Sequence, residues 1–188
     1  MIVGTAILQD IPEIIRLQGL YLVDNLPLNE RSQGFVTTPF TTGQIEYVIS
    51  QKGLFVAKEG NTLAAYTFTG DWKFFSQWPI FAYMISRFPN LHFNGIPLTV
   101  ENSFQYGPVC IDIPFRNQGL LLQLFETMRL ELAEKFPVGV TFINKLNERS
   151  FNAHVKKLKW TVVDEFQFNN KDYWGLAYDM KVKINPVK

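Results

Sequence analysis

A short turn that leads into a long apolar helix is the segment of this sequence best suited to chemistry. Residues 107–112 have the apolar pattern of a strand, and a leucine-rich helical pattern follows Gly119. The unpaired N–H groups and partial positive charge at a helix N-terminus hold phosphate groups through the backbone. Gly119 would give the chain the freedom for a close approach, and Arg116 would add a charge-assisted contact.

The same turn also has an ordinary explanation. A glycine near the start of a helix is common, and Gly119 is the only glycine between Ile113 and the helix. The segment lacks the Gly-Lys-Ser/Thr of a P-loop and the three glycines of a dinucleotide-binding fingerprint. From this turn alone, a phosphate site and a plain helix start both remain open.

Four other residues have side chains that could take part in catalysis or ligand binding, but each also has an ordinary explanation without such a role. Cys110 could be an acyl-enzyme nucleophile, but no basic neighbour is evident, which favours a small buried strand residue. Asn147 is either a ligand-binding residue or a helix cap, and Ser150 favours the cap. His92 has no partner pattern and the chain has one cysteine, so no metal site is predicted.

Length and composition predict a globular protein and exclude several function classes. The chain has 188 residues, of which 47% are hydrophobic, enough for a large core. Its net charge of +1 gives no argument for nucleic acid or a membrane surface, and no segment approaches the roughly 18 apolar residues of a membrane span. The first residues lack the features of a signal peptide, and a single cysteine fits a reducing compartment, so we expect a cytoplasmic protein.

The elements that would position the turn follow from apolar periodicity and turn residues. Helices are expected from about residue 10, from Thr41 or Thr42 to Gln51, and over residues 79–87, 116–135 and 150–157. Strands are expected on both sides of a hairpin turn at residues 59–61, and over residues 104–113, 138–146, 162–168 and 173–182. This order predicts an α/β fold in which a mixed central sheet has helices on both faces.

An aromatic-rich insertion at about residues 71–98 interrupts this order within a single predicted domain, residues 1–188. Its aromatic side chains suit extra core, a homodimer contact or the wall of a substrate pocket, and these alternatives remain open. Tyr66 and Phe68, on the preceding strand, would share such a wall.

A second strand leads from the long helix into the segment NERSFNAHVKKLKW, residues 147–160. The turn and this segment together resemble the two motifs of the GNAT superfamily of N-acetyltransferases. The first motif is Arg/Gln-x-x-Gly-x-Gly/Ala; the second is Asn-x-Arg-Ala/Ser, then Tyr or His, then Leu-Gly-Phe/Trp. The matching residues are Arg116 and Gly119 in the first motif, and Asn147, Arg149, Ser150, His154, Leu158 and Trp160 in the second. The order of the elements also fits, over nearly the whole chain except residues 71–98.

The sequence departs from the family pattern at four points. Leu121 stands where the family usually has Gly or Ala, and Asn117 stands where Gly is common. Lys159 replaces the glycine before the aromatic residue, and the spacing from His154 to Trp160 is one residue longer than usual. A side chain in a first helical turn can point away from the helix end, so Leu121 need not block a phosphate.

The resemblance implies a mostly antiparallel GNAT-like sheet and acetyl-CoA as co-substrate. It implies that backbone N–H groups of the turn hold the pyrophosphate and that a neighbouring strand pairs with the pantetheine arm, which would enter where two strands splay apart. Asn147 would contact the pantetheine or adenylate part. The turn residues are Asn117, Gln118, Gly119, Leu120 and Leu121, and the strand residues are Val109, Cys110 and Ile111.

The resemblance further implies direct attack of a primary amine, from a small molecule or a peptide, on the thioester. A backbone N–H near Ile111 would stabilise the oxyanion. His154 lies where many relatives carry the tyrosine that acts as general acid, so it is the favoured general acid. Glu101 is a candidate general base. A CoA-binding sensor or an interaction domain without catalysis is the alternative, because fold does not fix function.

Overall fold

The computed structural model describes residues 1–184, and its centre is a seven-stranded sheet in the order β1-β2-β3-β6-β7-β9-β8. The strands of this sheet are β1 (Ile2–Thr5), β2 (Leu54–Glu59), β3 (Thr62–Gly70), β6 (Ser103–Ile111), β7 (Val138–Asn144), β8 (Thr161–Phe168) and β9 (Lys171–Asp179). A short separate hairpin consists of β4 (His92–Phe93) and β5 (Ile96–Pro97).

Strand register confirms the predicted mixed, mostly antiparallel sheet. β1 with β2, β2 with β3, β7 with β9 and β8 with β9 pair antiparallel. β6 and β7 pair parallel, from Ser103 opposite Val138 to Gln105 opposite Val140. β6 then continues to Ile111 and β7 to Asn144.

Helices flank the sheet, as predicted. They are α1 (Ile11–Tyr21), α2 (Thr42–Ser50), α3 (Trp72–Phe75), α4 (Pro79–Arg87), α5 (Leu120–Leu132) and α6 (Glu148–Asn152). Thr41 caps α2 in a reciprocal capping box with Gln44, and Asn147 caps α6. Within residues 1–184, no helix is long and apolar enough to cross a membrane.

The chain forms two compact units, of which the first comprises Met1–Thr69 and Gly107–Glu131. Its core includes Tyr66 and Phe68, which are fully buried, and Phe40 stacks on Phe68 with ring centroids 4.3 Å apart. The side-chain amide of Gln18 holds the Phe40 backbone: Nε2 donates to the Phe40 carbonyl at 3.0 Å and Oε1 accepts from the Phe40 N–H at 2.8 Å. Tyr66 and Phe68 are therefore core residues of this unit, and their complete burial argues against the predicted pocket wall.

The second unit comprises residues 70–106 and the described chain from Leu132 onward, and it contains the whole aromatic insertion. Trp72 is buried, donates a hydrogen bond from Nε1 to Ser103 Oγ at 3.0 Å and meets Phe88 edge-on. Phe81 contacts Phe142 of β7 with ring centroids 5.3 Å apart. Most of the large insertion side chains pack as core of this unit, which favours the first of the three alternatives left open for them.

β1 and the long helix are among the elements that differ from the sequence prediction. β1 was not predicted, because its four residues show no clear alternation of buried and exposed side chains. They nevertheless pair with β2, from Ile2 opposite Lys58. The long helix begins at Leu120 rather than Arg116, because a 3₁₀ turn and two left-handed residues, Asn117 and Gly119, precede it.

Candidate functional site

The turn between β6 and α5 begins from a fixed point at Asp112. Its N–H donates to the carbonyl of Ala64 on β3 at 2.9 Å, which anchors the end of β6. The Asp112 carboxylate accepts a hydrogen bond from the N–H of Ile113 at 2.8 Å and so caps the short 3₁₀ turn Ile113–Phe115.

Tyr21, the last residue of α1, joins that helix to the turn. Its hydroxyl donates to Asp112 Oδ1 at 2.8 Å and accepts from the N–H of Ile113 at 2.9 Å. Burial is the largest cause that raises the pKa of Tyr21, so the hydroxyl keeps its proton for this bridge. Sequence reasoning missed Tyr21, because a partner 91 residues away leaves no local signal.

Arg116 binds one backbone carbonyl at the end of β6 and another in the distant segment that follows α1. Nε donates to the carbonyl of Ile111 at 2.9 Å, and Nη1 donates to the carbonyl of Gln33 at 2.7 Å. The guanidinium also lies 5.0 Å from the ring centroid of Tyr21. The predicted contact of Arg116 with phosphate stays a prediction, whereas its hydrogen bonds to these carbonyls brace the turn.

Two residues of the turn have left-handed backbone conformations. Asn117 has a φ of 63° and Gly119 a φ of 78°. A Cβ at Gly119 would meet no atom nearer than Gln123 Nε2 at 3.8 Å, so conformation, not space, requires glycine there. Gln118 braces the bend by donating to the carbonyl of Pro114 at 3.0 Å.

The first turn of α5 has the donor set expected of an anion site. Within residues 1–184, no hydrogen bond is found to the N–H groups of Leu120, Leu121 or Leu122, and the first helical bond runs from Gln123 N–H to the Gly119 carbonyl. Leu120 is buried and Leu121 is half-buried. The leucine side chains thus contribute to packing, while first-turn N–H groups point along the helix axis, as anion binding requires.

Cys110, on the strand before the turn, is a buried thiol. Only 4% of it is exposed, and burial, the largest cause, raises its pKa to about 12. The positive charge of Arg116 and the neighbouring hydroxyl of Tyr66 act in the opposite direction and lower this pKa. A thiol that stays protonated near neutral pH is a poor nucleophile, which supports the structural alternative for Cys110. Val109 and Ile111 on either side are half-buried.

The second motif lies in the second unit and is held largely by its own backbone. Asn147 is buried and its Oδ1 accepts from the N–H of Ser150 at 3.2 Å, which is the helix-cap geometry. Its predicted contact with the cofactor stays a prediction. Ser150 in turn is joined to His154, whose Nδ1 lies 2.8 Å from the Ser150 carbonyl. The structure therefore brings Asn147, Ser150 and His154 together.

Comparison with solved structures places this architecture among acetyltransferases. A putative acetyltransferase from Salmonella typhimurium, with its cofactor acetyl-CoA, superposes with a TM-score of 0.63 over 100% of this chain and 98% of its own, at 15% identity. An N-acetyltransferase from Staphylococcus aureus gives 0.62 over 95% and 98%, at 16% identity. A GNAT-family acetyltransferase from Streptococcus pneumoniae gives 0.59 over 95% and 98%, at 10% identity. The chain has the GNAT fold. No family model and no curated protein matches the sequence.

Two departures from the GNAT motifs are explained by backbone geometry. Lys159, at the family's glycine position, has a φ of 60°, a conformation that glycine adopts at little cost. Asn117 is at the other such position, and asparagine is among the residues that tolerate this region best. Both residues therefore have a left-handed conformation, the backbone region that favours glycine.

A π-helical turn, Ala153–Lys157, accommodates the extra residue between His154 and Trp160. The N–H of Leu158 bonds the carbonyl of Ala153 at 3.1 Å, which is the i→i−5 pattern of one inserted residue. The Trp160 ring lies edge-on to His154, with ring centroids 6.1 Å apart.

The environment of His154 argues against the predicted general acid of a GNAT enzyme. The residue is 5% exposed, and its ring lies edge-on to Tyr106 with centroids 5.6 Å apart. Burial is the largest cause that lowers its pKa to about 4, so the ring is neutral near pH 7. A neutral imidazole whose Nδ1 lies at hydrogen-bond distance from the Ser150 carbonyl has no ready proton to deliver.

Glu101, the candidate base, lies in the exposed turn that precedes β6, where its N–H donates to Thr99 Oγ1 at 3.2 Å. Val109 and Ile111 lie at the other end of that strand. The assignment of Glu101 as a base stays a prediction. His92 is exposed, and residues 1–184 contain no His, Cys, Asp and Glu group suited to a metal ion.

Proposed function

We propose that the protein is an N-acetyltransferase that transfers the acetyl group of acetyl-CoA to a primary amine. The observation that carries the proposal is the braced turn before α5, whose first-turn amides have no hydrogen bond within residues 1–184. Such donors suit a pyrophosphate. The GNAT fold, shared with acetyltransferases one of which holds acetyl-CoA, supports the same assignment.

The residues of the turn would hold the cofactor mainly through the backbone. Amides from Asn117 to Leu122 would bind the pyrophosphate, and Val109 to Ile111 would pair with the pantetheine arm. When bound, acetyl-CoA supplies an activated thioester that a neutral amine can attack. The N–H of Ile111 is the proposed oxyanion donor, and aligning the amine would supply much of the rate enhancement.

A CoA-binding sensor without catalysis is the second candidate. The burial and low pKa of His154 favour it, because the histidine at the acid position is neutral and enclosed. The two candidates share the turn and differ in turnover.

Release of free CoA thiol from acetyl-CoA, followed with a chromogenic disulfide across a panel of amines and short peptides, tests the proposal. Cys110 gives little background because it is buried and its pKa is high. We expect release that depends on both the protein and the amine. Binding of acetyl-CoA without release from any amine of the panel would favour the sensor, and absence of CoA binding would contradict both candidates.

A further inference from the structure

Residues 24–33, which follow α1, are mostly exposed and include the short 3₁₀ helix Leu28–Gln33. Most hydrogen bonds of these residues are local. Asn25 Nδ2 donates to the Gly19 carbonyl at 2.8 Å, and Arg31 Nε donates to the Leu26 carbonyl at 3.2 Å. We call residues 24–33 the exposed segment. So few buried contacts give a segment of low local stability.

One long-range hydrogen bond reaches the exposed segment. Arg116 Nη1 donates to the carbonyl of Gln33 at 2.7 Å, across 83 residues of sequence. Within residues 1–184, no other hydrogen bond to the exposed segment comes from beyond residue 36. The same guanidinium binds the Ile111 carbonyl through Nε, so a single side chain links the exposed segment to the end of β6.

The position of Arg116 relates this link to the cofactor turn. Arg116 ends the 3₁₀ turn and is followed at once by the left-handed Asn117, so its side chain moves with the backbone that presents the anion donors. A group held by those donors would restrict the turn and thereby favour the hydrogen bond to Gln33. Coupling between two such states is reciprocal.

We propose that Arg116 is a positioning residue that couples occupancy of the pyrophosphate turn to the order of the exposed segment. The inference rests on the proposed function, because it assigns regulation to the same turn. The planar guanidinium of Arg116 binds the Ile111 and Gln33 carbonyls at the same time, an arrangement that we call the clamp. A lysine ammonium cannot reproduce that geometry.

Hydrogen exchange measured with and without CoA tests the coupling, with amides of β2 and β3 as the internal reference. Without CoA, we expect Arg116→Met and Arg116→Lys to speed exchange over residues 24–34 at least about tenfold relative to that reference. In the wild type, CoA should slow exchange over residues 112–122 and also over residues 24–34. In both variants, saturating CoA should still protect the turn but no longer protect the exposed segment.

Arg16→Met is the matched control. Arg16 also carries a positive charge near the turn, 4.0 Å from Asp112 Oδ2, but no hydrogen bond from it to a backbone carbonyl is found within residues 1–184. Arg16→Met should therefore leave exchange of the exposed segment as in the wild type. If Arg16→Met speeds exchange of the exposed segment as much as Arg116→Met does, or if Arg116→Lys exchanges like the wild type, positive charge alone explains the link. Either result would overturn the inference.

The outcomes distinguish this inference from the proposed function. Protection of the turn by CoA without protection of the exposed segment in the wild type would overturn the coupling and leave CoA binding intact. Failure of CoA to protect the turn would overturn CoA binding and the coupling with it. Unchanged exchange in Arg116→Met without CoA would overturn the link itself, whatever CoA does.

Discussion

Replacement of His154 by glutamine should remove a large part of the acid sensitivity of the fold. The folded protein holds His154 neutral, with a pKa of about 4, whereas the exposed imidazole of the unfolded chain titrates near 6.5. Below pH 6.5 the unfolded state therefore binds a proton that the folded state refuses. Stability is highest above the unfolded pKa and falls as the pH drops from 6.5 toward 4.

The magnitude follows from the two pKa values. Each pH unit inside that window costs about 1.4 kcal/mol of unfolding free energy. Between pH 8 and pH 5, the His154 contribution is therefore a loss of about 2 kcal/mol. Glutamine does not titrate, so the variant should lack this loss even if its stability at pH 8 is lower.

Urea unfolding at pH 8 and pH 5, followed by circular dichroism, measures the effect as a difference within each variant. The chain has two histidines, and the other, His92, is exposed, so His92→Gln is the matched control. It should keep the wild-type loss of stability. An identical loss in wild type and His154→Gln would refute the buried, neutral histidine and reopen its assignment as an acid.

Three further changes test other parts of the structure. Lys159→Gly should raise the melting temperature by about 2 °C, because glycine relieves the backbone strain of a left-handed lysine. Lys157→Gly, in the π-helical turn, should lower the melting temperature. Calorimetry that shows the same melting temperature for both variants would contradict the strain argument. Tyr21→Phe should lower the unfolding free energy by about 1–2 kcal/mol, because it removes the hydroxyl bridge to the turn, and urea unfolding indistinguishable from wild type would count against that bridge. Cys110 should react with a thiol reagent at pH 8 only after unfolding, so complete labelling of the native protein within seconds would disprove its burial.

The fold was largely predictable because its signals are local. The helix at Pro79–Arg87 begins and ends where the sequence indicated, and Thr41 caps α2 as expected. β1 was missed because an edge strand of four residues carries little pattern. α3 was missed for a similar reason, since its single turn lies within an aromatic run without helical periodicity.

The candidate site was less predictable, because its supports are long-range. The turn and its glycine were visible as a strand-turn-helix pattern, yet the roles of Tyr21 and Gln33 depend on contacts across 91 and 83 residues. Motif matching singled out His154 but could not show that its side chain is buried. Conversely, Lys159 departed from the motif in sequence, and only the structure shows that it has a φ of 60°, a conformation that glycine adopts at little cost.

Calorimetric titration with CoA tests the central claim, that the backbone at the start of α5 holds the cofactor pyrophosphate. Gly119→Ala forces a side chain onto a φ of 78°, where the nearest atom to the new Cβ is Gln123 Nε2 at 3.8 Å. Gly60→Ala is the matched control: it also forces a left-handed side chain, at a φ of 58° in the β2–β3 hairpin, and no atom lies within 4 Å of its new Cβ. We expect the wild type and Gly60→Ala to bind CoA with equal affinity. Gly119→Ala should bind about five- to thirtyfold more weakly, because the free variant leaves the left-handed conformation and binding must restore it at a cost of about 1–2 kcal/mol. Equal affinities of all three proteins, or no binding by the wild type, would contradict the account.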